Sequence, residues 1–438
     1  MNGKFLFFES LGCPKNRVDS EVMISKLMDS GWIVTDSPEK ADLIVLNTCS
    51  FINTAREESI ARFFELNSAK KKEARIAVTG CLPQLYPELA RDLHEADFIT
   101  GINDILEISG IIEKYWEEGY KAKIGKASFI YSSFDSRALS LSPFTAYLKI
   151  ADGCNNCCSY CSIPVIRGEY RERKPEDIIS EAQDLVFSGV KEVVIISQDT
   201  SKYGINSGSS LKDLLSGLNS IPGDFRIRVM YLYPSGVDGD LLKKIHSLKK
   251  VLPYFEIPVQ HVSSKVLKDM NRHYTKETVI ELISNIKNIF GNRYALRTTF
   301  ISSYPTEKKE DHDELRKFIE AGHFDYSGVF RYSKEEFSNS AKLRVINDKT
   351  AQSRFEEIEK ASHISMEKRL DRFIGMEMDI LYEGIDPELK VPTGRGWHQA
   401  PEIDGITIIT NLENQKPGNY CKCRLVSREG IDFIGEIL

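Results

Sequence analysis

Residues 146–161 read AYLKIADGCNNCCSYC. The opening apolar run has the look of a β-strand, and the loop after it places Cys154, Cys158 and Cys161 in the spacing C-x3-C-x2-C. Three thiolates on one short loop can hold three irons of a 4Fe–4S cluster, which normally takes four cysteine ligands. The fourth iron is then left open, and an open position is what separates a catalytic metal site from a closed structural one. Cys157 complicates the pattern by adding C-x2-C spacings over 154/157 and 158/161. A zinc site built from all four cysteines is the alternative. It is disfavoured because paired C-x2-C knuckles need a loop of about a dozen residues between them to close around one ion.

Downstream of this stretch, apolar β-like runs alternate with helical ones. The strand candidates are AYLKIA, VKEVVIIS, RIRVMYLY, YFEIPVQ, ALRTTFI and YSGVFRY. Helical segments such as PEDIISEAQDLVFSG and ETVIELISNIKNIF separate them. Six βα units are too few for an eight-fold barrel but fit a partial, open parallel barrel. The cysteine loop follows its first strand, at the carboxyl mouth where barrel active sites sit. The charged segment 350–371 reads as a closing helix.

Upstream, residues 1–120 show a second alternation. FLFFES, ADLIVLNT and ARIAVTG read as strands, with SEVMISKLMDSG and TAREESIARFFELNSAKKK as helices between them, which predicts a small parallel sheet with helices on its faces. Each strand is followed almost at once by a cysteine: Cys13, Cys49 and Cys81. Ligand sites in open parallel sheets lie beyond the carboxyl ends of the strands. Three cysteines in that position point to a second cluster, again with three thiolates and one open iron. Asn16, Asp19 and Glu21, next to Cys13, read as caps of the following helix. Residues 121–139 read as a linker, 140–371 as the barrel domain, and 372–438, with short β-like runs between turns, as a small antiparallel barrel. The fold class is thus α/β with a terminal β-barrel. Cys421 and Cys423, two apart on one strand, read as structural.

The chain has 438 residues, a net charge of −6 and nine cysteines. That acidity argues against a general nucleic-acid binder held by phosphate neutralisation and suits a cationic protein partner. Residues 370–438 carry seven lysines and arginines against twelve aspartates and glutamates, a net −5. No apolar run approaches the roughly 18–20 residues that span a bilayer, and MNGKFLFFES lacks the organisation of a signal peptide. A cytoplasmic protein is expected, in which clustered cysteines bind metal rather than pair as disulfides.

At these motifs the chain resembles the radical S-adenosylmethionine (SAM) superfamily. Cys13, Cys49 and Cys81, with a C-terminal domain of the TRAM type, narrow the resemblance to the methylthiotransferases. SLGCPKNRVDSE, ISQDTSKYG, IPVQH, LRTTFI and QAPEIDG are similar to the RimO group, which modifies an aspartate of small-subunit ribosomal protein S twelve. The tRNA-modifying MiaB group usually has Gln-Met where Pro14-Lys15 stand here. The resemblance implies two 4Fe–4S clusters and two SAM molecules for each methylthio group added to the aspartate β-carbon. It also implies an electron donor such as flavodoxin or ferredoxin, no membrane, and a chain acting as a monomer on the ribosomal protein or the assembling small subunit. A non-catalytic iron–sulfur carrier is the alternative of another class, and it would have no use for an open iron.

For the SAM pocket, Ser197, Gln198 and Asp199 at the end of the second barrel strand, Gln260 and His261 at the end of the fourth, and Arg297 within the fifth are candidates. Ordinary hydrogen bonding at strand ends is the competing explanation for each. Two segments depart from the family pattern. Ser303-Tyr304-Pro305-Thr306-Glu307-Lys308 replaces a turn that usually reads G-F-P-G-E-T, so less positive φ is expected there. Gly396-Trp397-His398 replaces a smaller, alanine-containing run.

Overall fold

The computed structural model describes residues 3–438, so Met1 and Asn2 of the MNGKFLFFES segment lie outside the described residues. The chain divides into two compact units, neither of them continuous in sequence. The first takes the chain up to Ser140, then Lys149–Ile178 and Ser333–Ala341. The second takes Leu141–Leu148, Ile179–Tyr332 and Lys342–Leu438.

In the first unit, six parallel strands lie in the order β2-β1-β3-β4-β5-β6. They are β1 (Phe5–Ser10), β2 (Ile33–Val34), β3 (Leu43–Thr48), β4 (Arg75–Gly80), β5 (Phe98–Ile99) and β6 (Tyr120–Lys121). The central strands LIVLNT and RIAVTG are apolar almost throughout because helices cover both faces of the sheet. On one face, Ile44, Leu46, Ile76 and Val78 pack with Phe63 and Leu66 of helix α2 (Asn53–Ala69). Burial of each large side chain there contributes about 1.5–3 kcal/mol. Helix α1 (Pro14–Asp29) follows β1, and the short α3 (Cys81–Leu85) follows β4.

Residues 122–140 form no helix or strand, yet they are tied to the unit. Ala138 N–H donates to Glu21 O at 3.0 Å, and Arg137 pairs with the buried Glu21 carboxylate at 2.7 Å. Tyr131 lies buried among the cations of Lys149, Arg137 and Arg173, the last centred 4.3 Å from its ring. Residues 333–341 close the same unit. Glu335 accepts from Asn53 N–H at 3.0 Å, Phe337 packs edge-on against Tyr86 at 5.3 Å, and Ser340 N–H donates to Ser159 O at 2.7 Å.

The second unit holds the open barrel. Its strands are β7 (Thr145–Lys149), β8 (Glu192–Ile196), β9 (Arg226–Val229), β10 (Tyr254–Glu256), β11 (Ala295–Ser302) and β12 (Tyr326–Arg331). They form two runs, β7-β8-β9 and β10-β11-β12, joined by a parallel bridge of Ile227 with Val251 and by Leu232 N–H donating to Glu256 O. All six correspond to the apolar runs read from the sequence. The chain passes between units at the end of β7, so Lys149 and the cysteine loop group with the first unit. The closing helix spans Asp348–Leu370.

The terminal residues form a closed barrel, β13-β14-β15-β17-β16, from β13 (Glu377–Ile385), β14 (Pro392–Arg395), β15 (Thr407–Thr410), β16 (Tyr420–Glu429) and β17 (Asp432–Ile437). It is antiparallel except for the β15–β17 pair, which is parallel and closes the ring. Cys421 and Cys423 are buried on one face of β16, opposite Ile380 and Met378. Buried ion pairs join this barrel to the strands of the same unit. Arg395 bridges Glu192 (2.9 Å) and Glu383 (2.8 Å), and Arg228 reaches Glu192 at 2.6 Å. Burial alone would raise the Glu192 carboxyl, but the two guanidiniums outweigh it and hold the group below the usual carboxylate range. Among the described residues, no helix is long and apolar enough to cross a membrane.

Candidate functional site

Three consecutive turns at the carboxyl edge of the first unit's sheet carry Cys13, Cys49 and Cys81. Cys13 is the N-cap of α1, with Pro14 in the first helical position, where its missing N–H costs nothing. Gly12 has φ +88°, and a Cβ there would stand 2.7 Å from Cys49 Cβ and 2.8 Å from its Sγ. The β1 and β3 turns therefore touch at this point, and only glycine allows it. Ser59 of α2 fixes Cys49 by accepting from its N–H (3.1 Å) and donating to its carbonyl (2.7 Å). Cys81 opens α3, whose Leu82 N–H donates to the Thr48 hydroxyl at 3.1 Å.

Cys49 and Cys81 are both pushed up from the ordinary thiol range. Burial pushes Cys49 up to about 12, and charge on Cys81 and Cys13 pushes the same way, against the Phe51 N–H and Arg167. Burial raises Cys81 too, with Arg167 opposing and Cys13 adding to it. Cys49 and Cys81, two buried thiols whose ionisation is opposed by burial, are donors suited to a cationic group, which would offset the desolvation of their thiolates. Among the described residues no three His, Cys, Asp or Glu side chains close on one point as ligands of a single ion do. In a 4Fe–4S cluster each thiolate would hold its own iron.

The second cysteine set lies on a loop held at its base. Gly153 has φ +78°, and a Cβ there would meet Glu169 O at 2.1 Å; Cys154 N–H donates to Gly168 O at 3.2 Å. Asn156 N–H points to Cys154 Sγ at 3.5 Å, and Cys161 N–H donates to Cys158 O at 3.0 Å. Cys158 is buried and Cys154 and Cys161 are half-buried, whereas Cys157 is exposed and takes a left-handed φ of +50°.

Between the two sets runs a buried network. Lys149 pairs with Asp19 and with Asp152 (3.1 Å); Arg167 pairs with Asp19 and with Asp152 (3.3 Å). Arg167 also donates to Asn16 Oδ1 at 3.0 Å and to Cys81 Sγ at 3.7 Å. The Asn16 amide donates to Leu11 O and Thr48 O, gathering the first two turns. The helix-cap role expected for Asn16, Asp19 and Glu21 is therefore corrected. The N-cap of α1 receives no side-chain hydrogen bond, and these residues face inward to bind other segments. Lys149, Asp152 and Arg167 were not singled out from the sequence. A lysine inside the apolar run AYLKIA was the available signal, since a buried lysine needs a paired carboxylate.

In the second unit, Ser197, Gln198 and Asp199 follow the carboxyl end of β8. Ser197 is buried, its hydroxyl 3.2 Å from that of Thr200, and Asp199 accepts from the Ser201 hydroxyl at 2.6 Å. Gln260, φ +61°, bridges to Phe300 beyond β10. His261 Nδ1 accepts from Ser263 N–H at 3.0 Å, which assigns the proton to Nε2, 3.4 Å from Glu307. Arg297 differs. It is the third residue of β11, near the amino end, and pairs with Asp404, which also accepts from Tyr254. That engagement assigns it to the joint between barrel and terminal domain rather than to the strand ends where the other candidates lie. The Ser303 turn also departs from expectation. Ser303 keeps a positive φ, +64°, with its N–H donating to Glu307 (2.8 Å) and its hydroxyl to Ala351 O (3.2 Å).

Comparison with known proteins agrees with this architecture. Residues 5–101 match Uncharacterized protein family UPF0004, residues 148–319 the Radical SAM superfamily, and residues 374–438 the TRAM domain. Ribosomal protein uS12 methylthiotransferase RimO of Caldicellulosiruptor saccharolyticus is 39% identical over 98% of this chain and 99% of its own length. The protein of the same name from Aquifex aeolicus is 40% identical over 97% and 95%. Among solved structures, the radical SAM methyltransferase TsrM from Kitasatospora setae, with cobalamin and a 4Fe–4S cluster bound, superposes with a TM-score of 0.56 at 13% identity, covering 78% of this chain and 77% of its own. The cobalamin-dependent SAM radical enzyme OxsB gives 0.53 at 14% identity, covering 83% and 56%. These two show the fold alone. With such identity to the curated relatives along almost its entire length, the chain belongs to the RimO family of ribosomal protein uS12 methylthiotransferases, within the radical SAM superfamily.

Proposed function

We propose that this chain adds a methylthio group to the β-carbon of an aspartate in ribosomal protein uS12. Its cofactors are two 4Fe–4S clusters and SAM. Cys13, Cys49 and Cys81 hold one cluster and Cys154, Cys158 and Cys161 the other, with Cys157 outside the ligand set. Bound there, these groups supply one-electron cleavage of SAM and the sulfur to be inserted, with a further SAM as methyl donor.

The chain's own part is to hold, orient and exclude water. Gly12, Ser59 and Asn16 bring the first three thiols to one edge of the sheet. Gly153 and Gly168 set the base of the second loop. Hydrogen-atom abstraction from an unactivated carbon needs no general base, so the site works without a His/Asp pair. Ser197, Gln198, Asp199 and Gln260 are the barrel's proposed contacts to SAM. The acidic terminal domain suits a basic ribosomal protein better than RNA phosphates. A small flavodoxin- or ferredoxin-like donor, a cytoplasmic location and a monomeric state complete the proposal.

The observation that carries it is the 39–40% identity, along almost the entire chain, to proteins named as ribosomal protein uS12 methylthiotransferases, and the placement of Cys13, Cys49 and Cys81 on three turns at one sheet edge supports it. The test is to incubate the reduced, reconstituted enzyme with SAM and either uS12 or tRNA, and to weigh both products by mass spectrometry. One methylthio group on a uS12 aspartate and none on tRNA is the expected outcome. Modification of tRNA alone overturns it.

A further inference from the structure

Arg167, on the segment that bears the second cysteine set, reaches Cys81 of the first. It ends the short helix Ile163–Ile166 that follows Cys161, and its side chain is 2% exposed. One guanidinium nitrogen reaches Asp19 and Asp152; the other reaches Asn16 and Cys81 Sγ. The pair Arg167 and Lys149 is matched by the pair Asp19 and Asp152, so the network is neutral as a whole. Its effect on a group held by Cys81 is therefore local. It consists of an N–H aimed at one sulfur and a fixed position for that sulfur, rather than a surplus of positive charge. Hydrogen bonds to ligand sulfurs stabilise the more electron-rich state of an iron–sulfur cluster and raise its potential.

We propose that Arg167 is a positioning residue that fixes the Cys81 thiolate and, through its N–H···S contact, raises the reduction potential of the cluster on Cys13, Cys49 and Cys81. This rests on the assignment of that triad as a cluster site. Because Arg167 is carried by the segment that bears the other triad, the sulfur-inserting centre is tuned by the loop of the radical-generating centre. A disturbance of that loop is then transmitted to the potential of the first cluster.

The experiment uses the full chain with Cys154→Ala, Cys158→Ala and Cys161→Ala, so that one cluster is read by electron paramagnetic resonance during a redox titration. Two further double variants each remove one cation and one carboxylate and leave one complete ion pair. Replacing a buried pair in this way is often tolerated. Arg167→Met with Asp19→Asn abolishes the contact to Cys81; Lys149→Met with Asp152→Asn preserves it. The expected result is a midpoint shifted to lower potential in the first and unchanged in the second. Loss of the cluster in the first alone supports the positioning role. Equal midpoints in both, an equal shift in both, or loss of the cluster in both overturns the proposal. Absence of a cluster from the parent itself overturns the assignment of the triad, and the proposal with it.

Discussion

Gly12→Ala offers the sharpest test of the first cysteine triad. The substitution acts in two ways that the structure separates. A residue with a Cβ at φ +88° carries a conformational cost of about 1–2 kcal/mol. The new methyl would also lie 2.7 Å from Cys49 Cβ, and relieving such overpacking costs about 1–3 kcal/mol more while pushing Cys49 out of place. Gly375→Ala is the matched control, since Gly375 has φ +84° with nothing within 4 Å of an added Cβ. Urea denaturation should show the control losing about 1–2 kcal/mol and Gly12→Ala about 2–5 kcal/mol. Reconstitution should bring about eight irons per chain to the parent and the control, and about four to Gly12→Ala. SAM cleavage should survive in all three, and sulfur insertion in the parent and the control but not in Gly12→Ala. Full iron loading of Gly12→Ala, with a stability equal to that of the control, would refute the contact between the β1 and β3 turns as a determinant of cluster binding.

Three other expectations follow from single residues. Burial, aided by Arg228 and Arg372, depresses His398 to about 3, so the folded protein keeps it neutral while the unfolded chain protonates it near 6.5. Stability is whole above that value and falls by about 1.4 kcal/mol per pH unit as acid is added down to about 3, so His398→Leu should lose about 2 kcal/mol less than the parent between pH 7 and pH 5 in urea titrations. Ser303→Gly removes a left-handed serine but also its bond to Ala351, so its unfolding free energy from urea denaturation should stay within about 1 kcal/mol of the parent's. Cys157→Ala should retain SAM cleavage that Cys158→Ala abolishes; equal loss in both would reassign the ligands of that loop.

The longer strands of the sheet and the open barrel were legible because they are apolar runs between turn residues, and the six candidate cluster cysteines because they follow such runs. Strands β5 and β6, two residues each, are too short to carry any periodicity. Asn16, Asp19 and Glu21 were misread because proximity along the chain to a helix start is visible, whereas partners more than a hundred residues away are not. The same limit hid Arg167, whose chemistry comes from Asp19 and Cys81 rather than from its neighbours in sequence. At Ser303, residue type predicted the loss of positive φ, but Glu307 and Ala351 impose the conformation from outside. The parallel pairing that closes the terminal barrel depends on ring closure and leaves no mark on either strand.

Residues 333–341 set a timetable for making the protein. They hold the start of α2 through Glu335 and the cysteine loop through Ser159, yet they are synthesised after most of the barrel. At about 5–20 residues per second, the last piece of the first unit leaves the ribosome roughly 20–70 s after initiation. Until then the unit that carries both cysteine sets is unfinished, and a chain stalled before residue 333 lacks the bonds that tie the start of α2 and the cysteine loop to that segment.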